Sequence, residues 1–166
     1  MSIIKNSFAL LFVFVYQISS GQNCDFYSIE NLKLDSSIYM FYNAQYSQFL
    51  ESKNDIDVYL YKSLGGSNKY TSTRIFKRGE RFVVEQIKDG KSVVFQDSSL
   101  SFSTKSLSKL GDYIGRCDYT SLNEMYLCLI KVNGHFYLKL ASSDDNFELF
   151  PNESYKDLLL SLRRYW

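Results

Sequence analysis

Apolar and polar positions alternate through residues 55–61 (DIDVYLY), a period of two that predicts a strand with Ile56, Val58 and Leu60 on one face. Residues 70–76 (YTSTRIF) predict the returning strand across a turn at Gly65-Gly66-Ser67-Asn68. Further along, Tyr126 to Ala141 folds about Asn133-Gly134, the favoured pair for a two-residue type I′ turn because both central residues take positive φ. A plain register there pairs Leu129 with Leu138 and Leu127 with Leu140 on one face, and turns Cys128, Ile130, Tyr137 and Lys139 to the other.

The run Arg81 to Gln96 (RFVVEQIKDGKSVVFQ) predicts a second hairpin, about Asp89-Gly90. A two-residue turn would set Lys88 against Lys91, a like-charge pair, and Glu85 against Val94. A bulged loop of Lys88-Asp89-Gly90 pairs Val84 with Val94 and Val83 with Phe95, the better hydrophobic match. Both faces of this hairpin's base are apolar, which predicts a place between the sheet and another layer.

Shorter strands are expected at Leu32-Lys33-Leu34, Leu100 to Ser103 and Phe147 to Phe150. Ile38 to Tyr42 reads as strand, yet Ile38, Phe41, Tyr42, Gln45, Tyr46, Phe49 and Leu50 recur at helical spacing, with Asp35 or Ser37 able to cap the start, and the stretch after Tyr42 stays open. After Pro151, Ser154 and Asp157 resemble a capping box, and Tyr155, Leu158, Leu159, Leu162 and Tyr165 repeat at three and four. They predict a helix over about 154–164 with its apolar stripe on the sheet. The expected class is all-β, or β-dominated: an antiparallel sandwich or half-barrel with one C-terminal helix.

Composition sets the surroundings. Residues 1–21 read as a secretory signal, with Lys5 before an apolar core (FALLFVFVY, 8–16) and Ser19-Ser20-Gly21 before a cut at Gln22. That core is about half the roughly 20 residues needed to cross a bilayer, so no transmembrane anchor is expected. One domain then spans residues 22–166, exported and large enough for its own core. Without Lys5, the 19 basic residues become 18 against 18 acidic, so no net field steers the chain to nucleic acid. Cys24, Cys117 and Cys128 make an odd set. The simplest bridge is Cys117 with Cys128, closing a short loop; the other two pairings, and none, stay open.

Candidate chemistry is sparse. His135 is the single histidine, and it follows the Asn133-Gly134 turn with no Gly-x-Ser-x-Gly nucleophile motif elsewhere, so it reads as a solvated hairpin residue. The pairs Asp55/Asp57 and Asp144/Asp145 lack the calcium-loop pattern and read as solvated carboxylates of a strand and a turn. The glycines form no phosphate-binding fingerprint. No catalytic residue, metal or cofactor is expected. Arg74, Phe76, Lys77, Arg78 and Arg81 are the candidate contact patch: extended, Arg74, Phe76 and Arg78 line one face and could stack on or clamp an anionic partner. The favoured alternative makes the same charges guards of an exposed edge strand. Asn152-Glu153-Ser154 is a glycosylation sequon.

The stretches YTSTRIFKRGERFVVEQIKDGKSVVFQ and YLCLIKVNGHFYLKLASSDDNFELF, with the leading Leu32-Lys33-Leu34-Asp35, resemble the FAINT domain repeated in secreted Theileria proteins. Members often carry a tryptophan after the central hairpin and another near the end, where this chain has Phe95 and Phe150. The resemblance implies export, into a host cell in some cases, and no catalytic residues. These readings together anticipate a secreted, non-enzymatic module that contacts a protein partner. The alternatives are a carrier with an apolar barrel-like cavity and a hydrolase with an unrecognised site.

Overall fold

The computed structural model describes residues 24–30, 32, 43–64, 69–100, 107–117, 124–143 and 145–166. The expected signal at residues 1–21, residues 33–34 and 101–103 of two expected short strands, the aromatic run 38–42, the 65–68 turn and Asp144 lie outside them.

Among the described residues, eight strands form one sheet: β1 (Cys24–Ile29), β2 (Ile56–Leu64), β3 (Tyr70–Arg78), β4 (Arg81–Lys88), β5 (Lys91–Asp97), β6 (Gly111–Cys117), β7 (Glu124–Val132) and β8 (His135–Ser142). Their order is β1-β6-β8-β7-β2-β3-β4-β5. Every neighbouring pair is antiparallel except β6 with β8. The β-dominated class and the C-terminal helix are as expected. The sheet is single and not closed: β1 and β5 end it without meeting.

Each face carries a helix. α2 (Glu153–Leu162) lays Tyr155, Leu158, Leu159 and Leu162 over Ile56, Val58, Leu60, Ile75, Val84, Ile130 and Leu138. α1 (Ala44–Glu51) covers the other face, where Tyr46 and Phe49 meet Tyr59, Tyr61, Leu127 and Leu129. α1 decides the ambiguous stretch after Tyr42: Asn43 caps it, its side chain accepting from the Tyr46 N–H at 2.9 Å. The central strands are therefore buried on both sides, and Tyr59 and Tyr61 are as enclosed as Val58 and Leu60.

Four local expectations are corrected. The α2 cap is Asn152, two residues before the expected capping box, and it accepts from the Tyr155 N–H at 3.2 Å. Phe147–Leu149 is a 3₁₀ turn rather than a strand. Asn133 and Gly134 do form the tight turn, with φ of 50° and 79°. Yet a bulge follows: Lys131 faces Phe136 while Ile130 already faces Leu138. The extra residue turns Leu138 and Leu140 onto the α2 face with Cys128 and Ile130, which suits a sheet with two cores better than the plain register.

The fourth concerns the Asp89-Gly90 hairpin. Its turn has two residues, at φ of 50° and 74°, so Lys88 faces Lys91, Glu85 faces Val94, Val84 faces Phe95 and Val83 faces Gln96. The like-charge pair is tolerated because both lysines are exposed at the end of the sheet, where water screens them. Only half of the hairpin is covered: Phe82, Val83 and Val84 of β4 are buried, whereas β5 is exposed from Lys91 to Gln96.

Candidate functional site

The basic stretch is divided by the fold. β3 lies between β2 and β4, so it is not the exposed edge that its charges suggested. Arg74 points into the α1 face and is buried. Its Nε donates to Asp57 Oδ1 at 3.1 Å and its Nη2 to Asp57 Oδ2 at 2.8 Å, while Nη1 reaches Gln48 Oε1 at 3.2 Å. The guanidinium also lies 4.6 Å from the centre of the Phe76 ring. Asp57, read as solvated, is thus the buried anchor of this group and accepts from Asn54 Nδ2 as well, at 3.2 Å. Lys77 is half-buried, while Arg78 and Arg81 stand exposed, facing each other across the Gly79-Glu80 turn.

The other sequence candidates are scattered. His135 is exposed at the tip of the β7/β8 hairpin, and Asp145 holds Arg163 through two hydrogen bonds, at 2.9 and 3.1 Å. Among the described residues, no cluster of three His, Cys, Asp or Glu could hold a metal. Asn152 is half-buried, and its Oδ1 is occupied as the α2 cap. Cys128 is free and buried inside β7, facing Leu60 and Leu140. The expected bridge to Cys117 is excluded because β8 lies between β6 and β7, which puts the two strands about 9.5 Å apart.

What the fold does assemble is an open edge. β5 is exposed from Lys91 to Gln96, and three consecutive apolar side chains, Val93, Val94 and Phe95, are 53%, 63% and 39% exposed. Because Lys88 and Lys91 flank a two-residue turn, they form a doubly hydrogen-bonded pair. By alternation Val93, Phe95 and Asp97 bond to β4 as well, and Ser92, Val94 and Gln96 turn their N–H and C=O groups outward. The centre of the edge has no charge, no proline and no bulge, the usual protections of such a strand. Beside it, Arg78, Val83, Val94, Phe95 and Gln96 line an open groove of about 510 Å³. Sequence reading passed over Val93 to Gln96 because a segment apolar on both faces looks interior. The absence of any charge between Lys91 and Asp97 was the available signal.

The far end of β5 is fastened by Asp97. Its carboxylate accepts from the Ser99 Oγ at 2.6 Å, the Ser99 N–H at 2.7 Å, the Tyr165 hydroxyl and Arg164 Nη2 at 3.2 Å. These donors, the Ser99 hydroxyl first and Tyr165 next, lower its pKa to about 2. A carboxylate depressed on folding contributes stability that is complete above its unfolded pKa, near 4, and is lost as pH falls towards 2. Urea midpoints between pH 5 and pH 2 are expected to record a loss on the order of 2 kcal/mol that Asp97→Asn removes. An unchanged acid limb in that variant would show that Asp97 does not carry it.

A second cleft, of about 250 Å³, gathers Lys62, Lys69 and Lys88 with Tyr70 and Trp166. Lys62 is already paired with Glu124 at 3.4 Å, so this is not a bare cationic site. Both openings are open to solvent, and the two faces of the sheet are packed by the side chains beneath α1 and α2. The chain matches no family model, no curated protein and no solved structure.

Proposed function

We propose that this chain is a secreted, non-enzymatic interaction module that takes an extended segment of a partner protein as an added strand along β5. The observation that carries the reading is the exposed, uncharged edge with three adjacent apolar side chains. Strand addition draws affinity from main-chain hydrogen bonds and specificity from alternate side chains. An antiparallel occupant suited to β5 has apolar residues opposite Val93, Val94 and Phe95, an acid opposite Lys91 and a base opposite Asp97. The signal-like residues 1–21 support secretion, and the FAINT resemblance supports a host protein as the partner.

β5 read in reverse obeys the same rule: about a two-fold axis at Val94, Lys91 faces Asp97 and Val93 faces Phe95. A labelled peptide of sequence KSVVFQD is therefore a suitable probe. Full-length protein is expected to bind it, and Val94→Pro to weaken binding at least about tenfold, because the ring removes an outward N–H and obstructs the incoming strand. The β4 ladder survives this change, so the melting temperature should stay within about 3 °C. Equal binding by wild type and a folded Val94→Pro, or no binding at millimolar peptide, would sink the reading.

A further inference from the structure

We infer that Cys24 and Cys117 form a disulfide that staples β1 to β6. The β1/β6 ladder runs in register from Ile29 opposite Asp112 to Cys24 opposite Cys117, so the two cysteines form its last rung. Directly opposed residues of an antiparallel pair have Cα atoms about 4.5–5.5 Å apart, inside the roughly 4.4–6.8 Å span of a disulfide.

Contacts that do not involve either cysteine fix this register. Phe26 faces Gly115, where an added Cβ would come within 2.7 Å of Phe26 Cε1 and would also collide with Ser142 Oγ. A side chain at that position would displace the ring. Phe26 also meets Phe150 and Phe147, with ring centres 5.2 and 6.4 Å away. Just beyond the strand, the Leu32 N–H donates to Asp112 Oδ2 at 2.7 Å. A slip of one residue would break this set and separate the cysteines.

The third cysteine does not compete. Cys128 is free, fully enclosed and in a strand with β8 between it and β6. Burial pushes its thiol pKa up, which keeps it from the thiolate form that exchange requires. The odd count is then one pair and one inert core thiol. The pair has a mechanical use: β1 ends the sheet, bonded along one side only, and the bridge would close a loop containing every element from β1 to β6.

In the step itself two thiols lose two protons and two electrons as the S–S bond forms. The electron acceptor is the disulfide of a thiol–disulfide oxidoreductase or of a small-molecule disulfide, which leaves as two thiols. The inference does not depend on strand addition at β5.

The test is non-reducing peptide mapping of the full chain folded with a glutathione redox couple. A cross-linked pair of peptides bearing Cys24 and Cys117 is expected, two hydrogens lighter than the reduced pair, with Cys128 alkylated only after unfolding. Reduction, or Cys24→Ser with Cys117→Ser, should lower the melting temperature by about 10 °C. Native protein in which iodoacetamide labels both Cys24 and Cys117, or a bridge involving Cys128 or a second molecule, overturns the inference. The mapping stands even where the double variant fails to fold.

Discussion

Arg74→Met is expected to cost about 4 kcal/mol of folding stability, and so to lower the melting temperature by about 10 °C. The reason lies in what the substitution leaves behind. Asp57 is 1% exposed, and without Arg74 its carboxylate keeps only the single hydrogen bond from Asn54. A buried charge deprived of its partner typically costs about 3–5 kcal/mol, far more than an exposed ion pair is worth. The pair as a whole need not be stabilising, since taking both charges from water offsets much of their attraction. Asp57→Leu combined with Arg74→Met should therefore recover much of the loss, with a coupling of about 2 kcal/mol or more in a double-mutant cycle. Urea unfolding of the four proteins reads this directly. A single-variant cost below about 1 kcal/mol would mean that Arg74 is not the interior residue its geometry indicates. Peptide binding at β5 should be retained by the folded fraction, which separates the two roles that the basic stretch had seemed to combine.

That separation shows where sequence reading reached its limit. Periodicity identified the elements whose pattern is local: β2 by alternation, the Asn133-Gly134 turn by its demand for positive φ, and α2 by its stripe of Tyr155, Leu158, Leu159 and Leu162. It could not give strand order, because β1 pairs with β6, and β2 lies between β3 and β7, through contacts distant in sequence. Order decides which charges are interior. Arg74 and Arg78 occupy the same side of β3, yet one is buried beneath α1 and the other stands at the turn. The same limitation hid β5, whose two apolar faces fit an interior strand as well as an unprotected edge. It also hid the β8 bulge, because one extra residue reassigns a face only when both faces have cores. For Cys24 and Cys117, the register between terminal segments supplied what spacing along the chain could not.

Lys131 carries the second large effect. It is 3% exposed in β7 and has no carboxylate within ion-pairing distance among the described residues. Its ammonium instead donates to three backbone carbonyls at the C-terminal end of α1: Phe49 at 3.0 Å, Leu50 at 2.7 Å and Ser52 at 2.9 Å. A helix end collects carbonyls without intrahelical donors and the negative end of the macrodipole, and α1 has no basic residue of its own in its last turn. The sheet supplies that cation from a distant strand. Burial lowers the lysine's pKa, so holding the charge there has a cost that the three acceptors offset. Lys131→Met removes the cost together with all three bonds. The net loss is expected to be about 3 kcal/mol, since carbonyls that lose a charged donor cannot all reach water. The effect should also be local at first. An eight-residue helix has little stability alone, so hydrogen exchange should show α1 amides losing protection before those of β2 and β7. Lys131→Arg should restore only part of the difference, because a planar fork does not match three converging acceptors as an ammonium does. A Lys131→Met protein within about 0.5 kcal/mol of wild type, with α1 equally protected, would show that the helix is held by Tyr46, Phe49 and the Gln45–Ser72 hydrogen bond instead.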